Sequence, residues 1–391
     1  VYYRRIINGE TMEEAALADR IIVMHQGHIA ADSSPRALFS NLTALRQWKL
    51  APPAAVEIAS ILVPHMELVD NTILTMETLL ESLPSPPDAK RNLSPAASTA
   101  PPSQNNSAVI KIRDLSHTYM QGTPLAHAAL ADISLSIPEK SGYALLGATG
   151  SGKSTLLQHM NGLIKPQSGA VHVGPYNLTD PEITVQTICR LAGLVFQNPE
   201  NNFFEQYVGD EIAFGPRQQG LSKPEIVIRV KQAMHLVGLD FETYKDRFTF
   251  TLSGGERRKT AIASILALAP QILLLDEPTA GMDPISRREL TDHLIDLRNS
   301  GVTLVLSTHQ MDDVAQLTEQ ATLLDQGHLL SSDLTSHIFS NETILSAASL
   351  EAPPAAQVAH QLIQSGWPLP SGIIQPQQLK TALAQLHTKE L

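Results

Sequence analysis

The chain has 391 residues, a length that predicts two or three structural units. Of these residues 43% are hydrophobic and 17% charged, which is typical of globular proteins. The formal net charge of −11 argues against nucleic-acid binding as the main function, because phosphate backbones are bound by basic surfaces. The single cysteine, Cys189, excludes a disulfide framework and is typical of a reducing compartment.

Neither a membrane span nor a secretory signal is predicted. The most apolar segment, around 262–275, is interrupted by Ser264, Pro270 and Gln271 and is too short to cross a bilayer. The opening segment VYYRRIINGE lacks an apolar core followed by a small-residue cleavage site. We therefore expect a cytosolic chain that reaches a membrane only through a partner.

The first part of the chain repeats a segment near its end. QGHIAADSSPRALFSN at 26–41 matches QGHLLSSDLTSHIFSN at 326–341. Upstream, MEE at 12 resembles MDD at 311, and downstream APPAA at 51 recurs at 352, so the offsets run from 299 to 301. Three matched blocks in the same order indicate a duplicated domain. We predict that residues 1–83 are the C-terminal end of a first unit, followed by a second unit at 108–391.

Residues 84–107, PSPPDAKRNLSPAASTAPPSQNNS, separate the two copies. With almost no large apolar residues they cannot bury a core, and we predict a disordered linker. The arginines of the opening YYRRIING do not suit the buried strand that the repeat requires there. Our hypothesis is that residues 1–10 depart from a faithful copy because of a frameshifted or misassigned start.

A phosphate-binding loop is predicted at 143–155, YALLGATGSGKST. An apolar strand leads into the pattern G-x-x-x-x-G-K-[ST], and a segment with helical spacing follows. Backbone N–H groups of such a loop and the helix N-terminus bind a β-phosphate; Lys153 is expected to bridge the β- and γ-phosphates and Ser154 to ligate Mg²⁺. The candidate nucleotide-binding residues of the loop are Gly147, Thr149, Gly150, Ser151, Gly152, Lys153, Ser154 and Thr155.

A second anion site is predicted at TLSGGE, residues 251–256, because Ser253, Gly254 and Gly255 precede a helix. One nucleotide does not need two such sites from one domain. Two domains arranged head to tail do, since each can present this segment to the γ-phosphate held by the other. The run that follows, Glu256–Lys259, is interpreted as the solvated first turn of the helix.

Two acidic residues follow the apolar segment 272–275, which predicts a buried parallel strand. The carboxyl end of such a strand faces the ligand crevice of an open α/β sheet. Asp276 is therefore placed to hold Mg²⁺, and Glu277 to polarise the attacking water. Purely structural capping of the strand is the weaker interpretation, because Pro278 follows and no basic residue is adjacent.

Together these motifs resemble the ATP-binding cassette (ABC) ATPases over about 108–340. The resemblance implies an α/β P-loop NTPase fold, with a mixed-sheet core and a helical subdomain, that binds ATP and Mg²⁺ and hydrolyses ATP. It implies that Gln197 contacts Mg²⁺ and water and couples to a membrane partner, that His309 senses the γ-phosphate, and that Tyr119 stacks on adenine. Ala280–Asp283 would contact a second cassette.

The segments 195–200, VFQNPE, and 210–216, DEIAFGP, resemble the energy-coupling-factor (ECF) transporter ATPases, which drive uptake of vitamins, cobalt or nickel. The tail, with GWPLP at 366–370, resembles that family too, and some members fuse two ATPases in one chain. The sequence departs from the family pattern at two places. NNFF at 201–204 lacks the glutamine that usually follows Pro-Glu, and Glu256 stands after Ser-Gly-Gly where Gln is commoner.

The ECF resemblance implies partners and a location. A small C-terminal α/β extension at 341–391 would contribute to contact with a second cassette, in a homodimer or a heterodimer. A transmembrane scaffold and a separate substrate-binding membrane subunit, in which the choice of solute resides, would complete the transporter. The chain would then lie peripherally on the cytoplasmic face of a prokaryotic cell membrane, with no nucleic-acid partner.

Two other classes of protein share a phosphate loop of this kind. Soluble twin-cassette proteins that act on ribosomes or DNA usually have a charged helical linker and Asn-His-Leu-Asp after the acidic strand. Here the linker is rich in Pro and Ser, and Ala280-Gly-Met-Asp283 stands after the strand. A binding module without turnover is expected to lack Lys153 or Glu277, and both are present. The sequence thus favours a transporter ATPase.

Overall fold

The structure, a computed structural model, describes residues 12–48, 50–66, 68, 73–84, 86, 107–198 and 203–388. It divides into a tail unit, comprising Val1–Ser103, Gly281–Arg288 and Ala352–Leu391, and a cassette unit, comprising Gln104–Ala280 and Glu289–Glu351. Residues 1–10 and most of the predicted linker at 84–107 lie outside the described residues. No helix within the described ranges combines the length and apolar character needed to cross a bilayer.

Strands and helices are interspersed along the chain. The strands are β1 (Ile21–His25), β2 (His28–Ser33), β3 (Ala108–Tyr119), β4 (His127–Pro138), β5 (Gly142–Leu146), β6 (Ser168–Val173), β7 (Tyr176–Asn177), β8 (Ala192–Val195), β9 (Ile272–Asp276), β10 (Thr303–Ser307), β11 (Gln320–Asp325) and β12 (His328–Leu334). The helices are α1 (Met12–Ala16), α2 (Pro35–Phe39), α3 (Leu42–Gln47), α4 (Ala54–Leu62), α5 (Met76–Glu81), α6 (Lys153–Met160), α7 (Val185–Leu191), α8 (Val208–Gln218), α9 (Lys223–Leu236), α10 (Phe241–Tyr244), α11 (Gly254–Leu266), α12 (Pro284–Asn299), α13 (Met311–Leu317), α14 (Thr335–Phe339), α15 (Glu342–Ala347), α16 (Pro354–Gln364) and α17 (Pro376–Thr388).

The cassette unit is built on a six-stranded sheet in the order β12-β11-β5-β10-β9-β8. Its inner strands pair in parallel, and β12 runs antiparallel to β11. All residues of β5, β9 and β10 are buried, which explains their continuous apolar sequences. A second, antiparallel sheet has the order β4-β3-β6-β7. The predicted mixed-sheet core is confirmed.

The predicted helical subdomain is present as α8, α9 and α11, which pack against one another. A capping box starts α9: Ser222 Oγ donates to the Glu225 carboxylate at 2.6 Å, and the Ser222 N–H donates to the same carboxylate at 2.9 Å. In α11 the side chains on the inner face, including Ile262 and Leu266, are buried. This subdomain carries the Ser-Gly-Gly segment at the N-terminus of α11.

One of the hydrophobic cores of the tail unit is made by both copies of the repeat. Helix α4 packs on α16 and α17, and α16 packs on α5, so exchanging the two copies maps one set of contacts onto the other. Buried residues in this core recur at a constant separation of 300 positions: Ala55 and Ala355, Ile58 and Val358, Leu62 and Leu362, Ile73 and Ile373, Leu79 and Leu379.

Two expectations for the tails change. The APPAA identity aligns the copies at a separation of 301, whereas Pro53 and Pro353 occupy the same N-cap position at 300, because the buried face of the helix sets the register. The extension at 341–391 was predicted to be a small α/β unit, but its described residues, 341–388, form helices and no strand. Apolar positions three and four apart along α16 explain the helical outcome.

The β1–β2 hairpin of the first copy has the same structure as the β11–β12 hairpin of the second. Ile21 pairs with Ser33 in the first copy, and Ala321 with Asp333 in the second. Both hairpins carry an irregularity at the same place, after Val23 and after Leu323. The two copies thus fold alike in register as well as in sequence.

Candidate nucleotide-binding site

The phosphate loop connects β5 to α6, and at two of its positions only glycine fits. Gly147 has φ 142°, and a Cβ there would lie 2.2 Å from the carbonyl oxygen of Leu324. Gly152 caps α6 with φ 102°, and a Cβ would lie 2.7 Å from the carbonyl oxygen of Ala129. The backbone therefore turns under close neighbours into the N-terminus of α6, the geometry that presents N–H groups to a phosphate.

The ammonium group of Lys153 lies over its own loop. Its Nζ donates to the carbonyl oxygens of Gly147, at 2.8 Å, and Ala148, at 2.9 Å. Burial lowers the pKa of Lys153, and the nearby carboxylates of Glu277 and Asp276 act in the opposite direction. The lysine and the two acids predicted from separate motifs are thus electrostatic neighbours. This cation has the placement needed to bind a phosphate anion.

The acids stand at the carboxyl end of β9. Asp276 and Glu277 are each 8% exposed, and the Glu277 N–H donates to the carbonyl oxygen of Ser307 at 2.8 Å, tying it to β10. Glu277 has φ 50°, a left-handed conformation that is uncommon for a residue with a side chain. Such backbone strain clusters at functional sites, because the surrounding structure must hold it in place.

Two side chains after β10 hold the Glu277 carboxylate. His309 Nδ1 lies 2.9 Å from Oε1, and the Thr308 hydroxyl donates to Oε2 at 3.2 Å. The structure thus brings together Glu277 and His309, both predicted, and Thr308, which sequence analysis missed. The sequence could have indicated Thr308, because it is a polar residue that follows a buried strand and precedes His309.

Tyr119 lies at the end of β3 beside the phosphate loop. Its hydroxyl is 3.2 Å from Thr155 Oγ1, and its ring packs edge-on against His117 at 4.6 Å. His117 in turn packs against His159, whose Nδ1 donates to the Thr155 carbonyl oxygen at 2.8 Å. The sequence did not predict this aromatic cluster under α6. It fixes Tyr119 near the loop with part of the ring exposed.

The Ser-Gly-Gly segment lies at the N-terminus of α11, as predicted. Ser253 forms a capping box with Glu256: Oγ accepts from the Glu256 N–H at 3.3 Å, and the Ser253 N–H donates to the glutamate at 2.7 Å. Gly254 is exposed, and a Cβ there would have no heavy atom within 4 Å. The segment therefore faces open space, from which an external phosphate can approach.

The interpretation of Glu256–Lys259 as a solvated turn is wrong. Arg258 is 4% exposed and Lys259 7%, so this face of α11 is buried. Arg258 donates to the carbonyl oxygen of Gln197, the predicted loop glutamine, and at 3.0 Å to that of Ala280. Lys259 donates to Glu289 at 2.7 Å. Charged residues near the start of a helix usually face solvent, so the sequence pattern alone did not reveal this burial.

The predicted magnesium ligands Ser154, Asp276 and Gln197 supply hydroxyl, carboxylate and amide oxygens. Over the described ranges, no group of three or more His, Cys, Asp or Glu side chains forms a metal cluster. A Mg²⁺ bound with a nucleotide needs only one or two protein ligands, because phosphate and water oxygens fill the rest of its octahedron. The donor set present therefore fits that kind of site.

Comparisons with known proteins agree with this geometry. Residues 130–280 match the family described as ABC transporter. The chain is 40% identical over 282 residues to the energy-coupling factor transporter ATP-binding protein EcfA2 of Clostridium tetani, covering 72% of this chain and 98% of that protein. Among solved structures, cbiO1 from Clostridium perfringens, part of the ABC transporter complex cbiONQ, aligns with TM-score 0.55 and 30% identity over 64% of this chain and 98% of that one.

A dimeric ATP-binding cassette in a post-hydrolysis state, bound to ADP and phosphate, aligns with TM-score 0.53 and 25% identity. The alignment covers 58% of this chain and 98% of that one. The P-loop cassette fold is therefore shared across the matched region. The chain belongs to the ABC ATPases of the energy-coupling factor transporter type.

Proposed function

We propose that this chain is the ATP-binding and ATP-hydrolysing subunit of an ECF-type transporter, which powers uptake of a vitamin or a transition-metal ion through membrane partners. The observation that carries the proposal is Glu277, buried at the end of β9 and held by His309 and Thr308 beside the phosphate loop. The relatives named EcfA2 support the transporter class.

The loop residues Gly147 and Thr149–Thr155 bind the phosphates of ATP, and Tyr119 stacks on adenine. Lys153 exchanges its bonds to the Gly147 and Ala148 carbonyl oxygens for bonds to the β- and γ-phosphates. Ser154, Asp276 and Gln197 hold Mg²⁺, which supplies charge neutralisation on the phosphates. Because these groups are fixed by the fold, they need little reorganisation when the nucleotide binds.

Glu277 orients and polarises the water that attacks the γ-phosphate. Its Oε2 accepts from Thr308, and its Oε1 lies within hydrogen-bond distance of His309 Nδ1. These two contacts orient the carboxylate, as a group that must position a water requires. His309 is largely exposed, so its ring is accessible to a γ-phosphate as well.

A second cassette completes the site in this proposal. Gly254 faces open space at the N-terminus of α11. There Ser253, Gly254 and Gly255 meet the γ-phosphate of a nucleotide held by the partner. The Ser-Gly-Gly segment of the partner likewise contacts the nucleotide held by Lys153. The dimeric relative bound to ADP and phosphate supports a two-cassette arrangement for the family.

We assign residues 108–340 to the cassette, 1–83 to the end and tail of a first cassette, 84–107 to a linker, and 341–391 to a tail that mediates the dimer contact. The shared core of α4, α5, α16 and α17 supports the last assignment. Here the two tails pair within one chain, with Trp367 Nε1 donating to the Pro84 carbonyl oxygen at 3.0 Å.

Matched substitutions test the tail pairing. Leu62 and Leu362 are both fully buried, so Leu62→Ala and Leu362→Ala are each expected to destabilise the tail unit by about 2–5 kcal/mol. Trp367, made the sole tryptophan by Trp48→Phe, reports unfolding by its fluorescence. The exposed Val63→Ala serves as the control. If Leu62→Ala leaves the Trp367 transition unchanged, the first tail does not share that core.

The proposed surface for the transmembrane scaffold is an exposed aromatic group on the helical subdomain. Phe204 is 79% exposed and stacks on Phe214 at 5.7 Å; Phe250 is 69% exposed and stacks on Phe248 at 5.1 Å, which stacks on Tyr207 at 4.9 Å. Large exposed aromatic patches mark interaction sites. Tyr207 comes ten positions after Gln197 in the sequence, so this surface is close to the predicted site along the chain.

The function is tested in proteoliposomes that contain the chain, a second cassette, a transmembrane scaffold and a substrate-binding subunit of an ECF transporter. ATP-dependent solute uptake is expected, with scaffold-stimulated ATPase activity that Phe204→Asp and Phe250→Asp reduce. The exposed Val227→Asp on α9 is the control. Stimulation of the ATPase by ribosomes or DNA, without a response to the scaffold, would instead favour the soluble twin-cassette function.

A further inference from the structure

Arg258 connects three segments of the cassette unit that carry different parts of the site. It belongs to α11, whose N-terminus is the Ser-Gly-Gly segment. One guanidinium nitrogen, Nη1, donates to the carbonyl oxygen of Gln197, and the other, Nη2, donates at 3.0 Å to that of Ala280. Gln197 is the loop glutamine, and Ala280 is the first residue of the predicted dimer-contact loop.

The environment of Arg258 favours these bonds over alternatives in solvent. The residue is 4% exposed, so its charge is removed from water and must be matched by acceptors. A guanidinium group presents donors in a planar fork, and its two outer nitrogens can reach two acceptors at fixed angles. A lysine at the same place would present one point charge and could not fix both carbonyl groups in the same way.

We propose that Arg258 is a positioning residue that fixes the backbone of Gln197 relative to α11 and Ala280. When the Gln197 side chain responds to Mg²⁺ and the γ-phosphate, this link moves the Ser-Gly-Gly helix and the start of the dimer-contact loop with it. Arg258 itself touches neither nucleotide nor water in this role. The inference rests on the proposed hydrolytic function, and it adds a physical connection between Gln197, the Ser-Gly-Gly helix and the dimer-contact loop.

The neighbouring arginine provides a matched control. Arg257 is on the same helix, but its guanidinium donates to the carbonyl oxygens of Leu252, at 3.1 Å, and Phe250, at 3.4 Å, both in the segment directly before α11. It therefore makes the same chemical type of contact without joining the glutamine loop to Ala280. A loss of stability from removing an arginine of α11 is expected in both variants, and a loss of kcat only at Arg258.

The test is a double-mutant cycle in the full chain, with ATPase activity, ATP affinity and melting temperature measured for each variant. Arg258→Gln is expected to lower kcat about tenfold in the otherwise unchanged chain, and no more than about twofold in a Gln197→Ala background, because the group that it positions is then gone. Affinity for ATP should change less than about twofold, since the phosphate loop is untouched. Arg257→Gln should leave kcat nearly unchanged.

A purely structural role gives a different result. Arg258→Gln would then lower the melting temperature and reduce kcat by the same factor in both backgrounds, and that additivity would overturn the proposal. Unchanged kcat in Arg258→Gln would also overturn it. If Arg258→Gln does not fold, Arg258→Lys replaces it in the cycle with the same criteria. An unsubstituted chain with no ATPase activity, alone or with a second cassette, contradicts the proposed function itself, whereas an active, Gln197-dependent chain with additive variants contradicts only the linking role.

Discussion

His309 Nδ1 lies 2.9 Å from Oε1 of Glu277, although 32 positions separate the two residues. The contact arises because β9 and β10 pair in parallel in the same register, with Ser307 beside Asp276, so the residues that follow both strands meet at one edge of the sheet. The carboxylate is thereby oriented by a neighbour whose side chain remains largely exposed.

We expect His309→Ala to lower kcat by about 100-fold with little change in ATP affinity, because it removes a group that orients the base. Steady-state ATPase assays and equilibrium ATP binding, measured on the same preparation, separate the two effects. The exposed His328→Ala is the control. A normal kcat in His309→Ala would show that Thr308 alone is sufficient to orient Glu277.

Lys153→Ala is expected to weaken ATP binding by about 10- to 100-fold, because it removes the loop's ammonium group from the phosphates. Fluorescence titration with an ATP analogue measures the affinity. Lys111→Ala, at an exposed position on β3, controls for the loss of one surface charge. Wild-type affinity in Lys153→Ala would exclude the phosphate-loop assignment.

The composite site predicts that the chain binds ATP but hydrolyses it slowly until a second cassette is available. Turnover per chain should rise with protein concentration, if two copies pair, or on addition of a separate ECF cassette. Ser253→Arg should then impair hydrolysis only of the nucleotide held by the partner, because Gly254 beside it faces outward. Fast turnover that depends on neither concentration nor an added cassette would show that one chain completes its own site.

Acid stability should depend on His159. Burial lowers the pKa of His159 from 6.5 to about 4, the bond to Thr155 opposes this shift, and His117 adds to it. Because the folded state binds this proton less readily than the unfolded state, the free energy of unfolding is expected to fall as pH decreases from about 6.5 towards 4, by roughly 3 kcal/mol.

Denaturant unfolding measured at several pH values checks this dependence. His159→Leu should flatten the curve in that interval, whereas the exposed His235→Leu should not. An unaltered slope between pH 6.5 and 4 in His159→Leu would assign the acid sensitivity to other groups.

The sequence predicted the parts of the site that depend on local chemistry. The glycine loop with Lys153 and the acidic strand ending at Glu277 each carry their spacing and flanking strand in one short segment. His309 was predicted from the family resemblance and its place after an apolar strand. Register in a parallel sheet then brings these segments together, so the local patterns were sufficient.

Contacts made by backbone groups could not be predicted in this way. Arg258 was predicted to face solvent. The residues next to it in the sequence do not indicate that the carbonyl groups of Gln197 and Ala280 lie beside it in the fold. The core shared by the two tails was likewise missed, since the partner of Leu362 comes from residues 300 positions earlier. Pairing over such distances depends on tertiary structure, which periodicity does not encode.

The central claim, that Glu277 is the base for ATP hydrolysis, is tested most directly by single-turnover kinetics of Glu277→Gln in the presence of a second cassette. An amide accepts a proton poorly but has the shape of the carboxylate and can keep the contacts to Thr308 and His309. The account predicts ATP binding within about twofold of the unsubstituted chain, with cleavage slowed by about 100-fold or more. Cleavage at the unsubstituted rate would contradict the account, because another group would then have to activate the water.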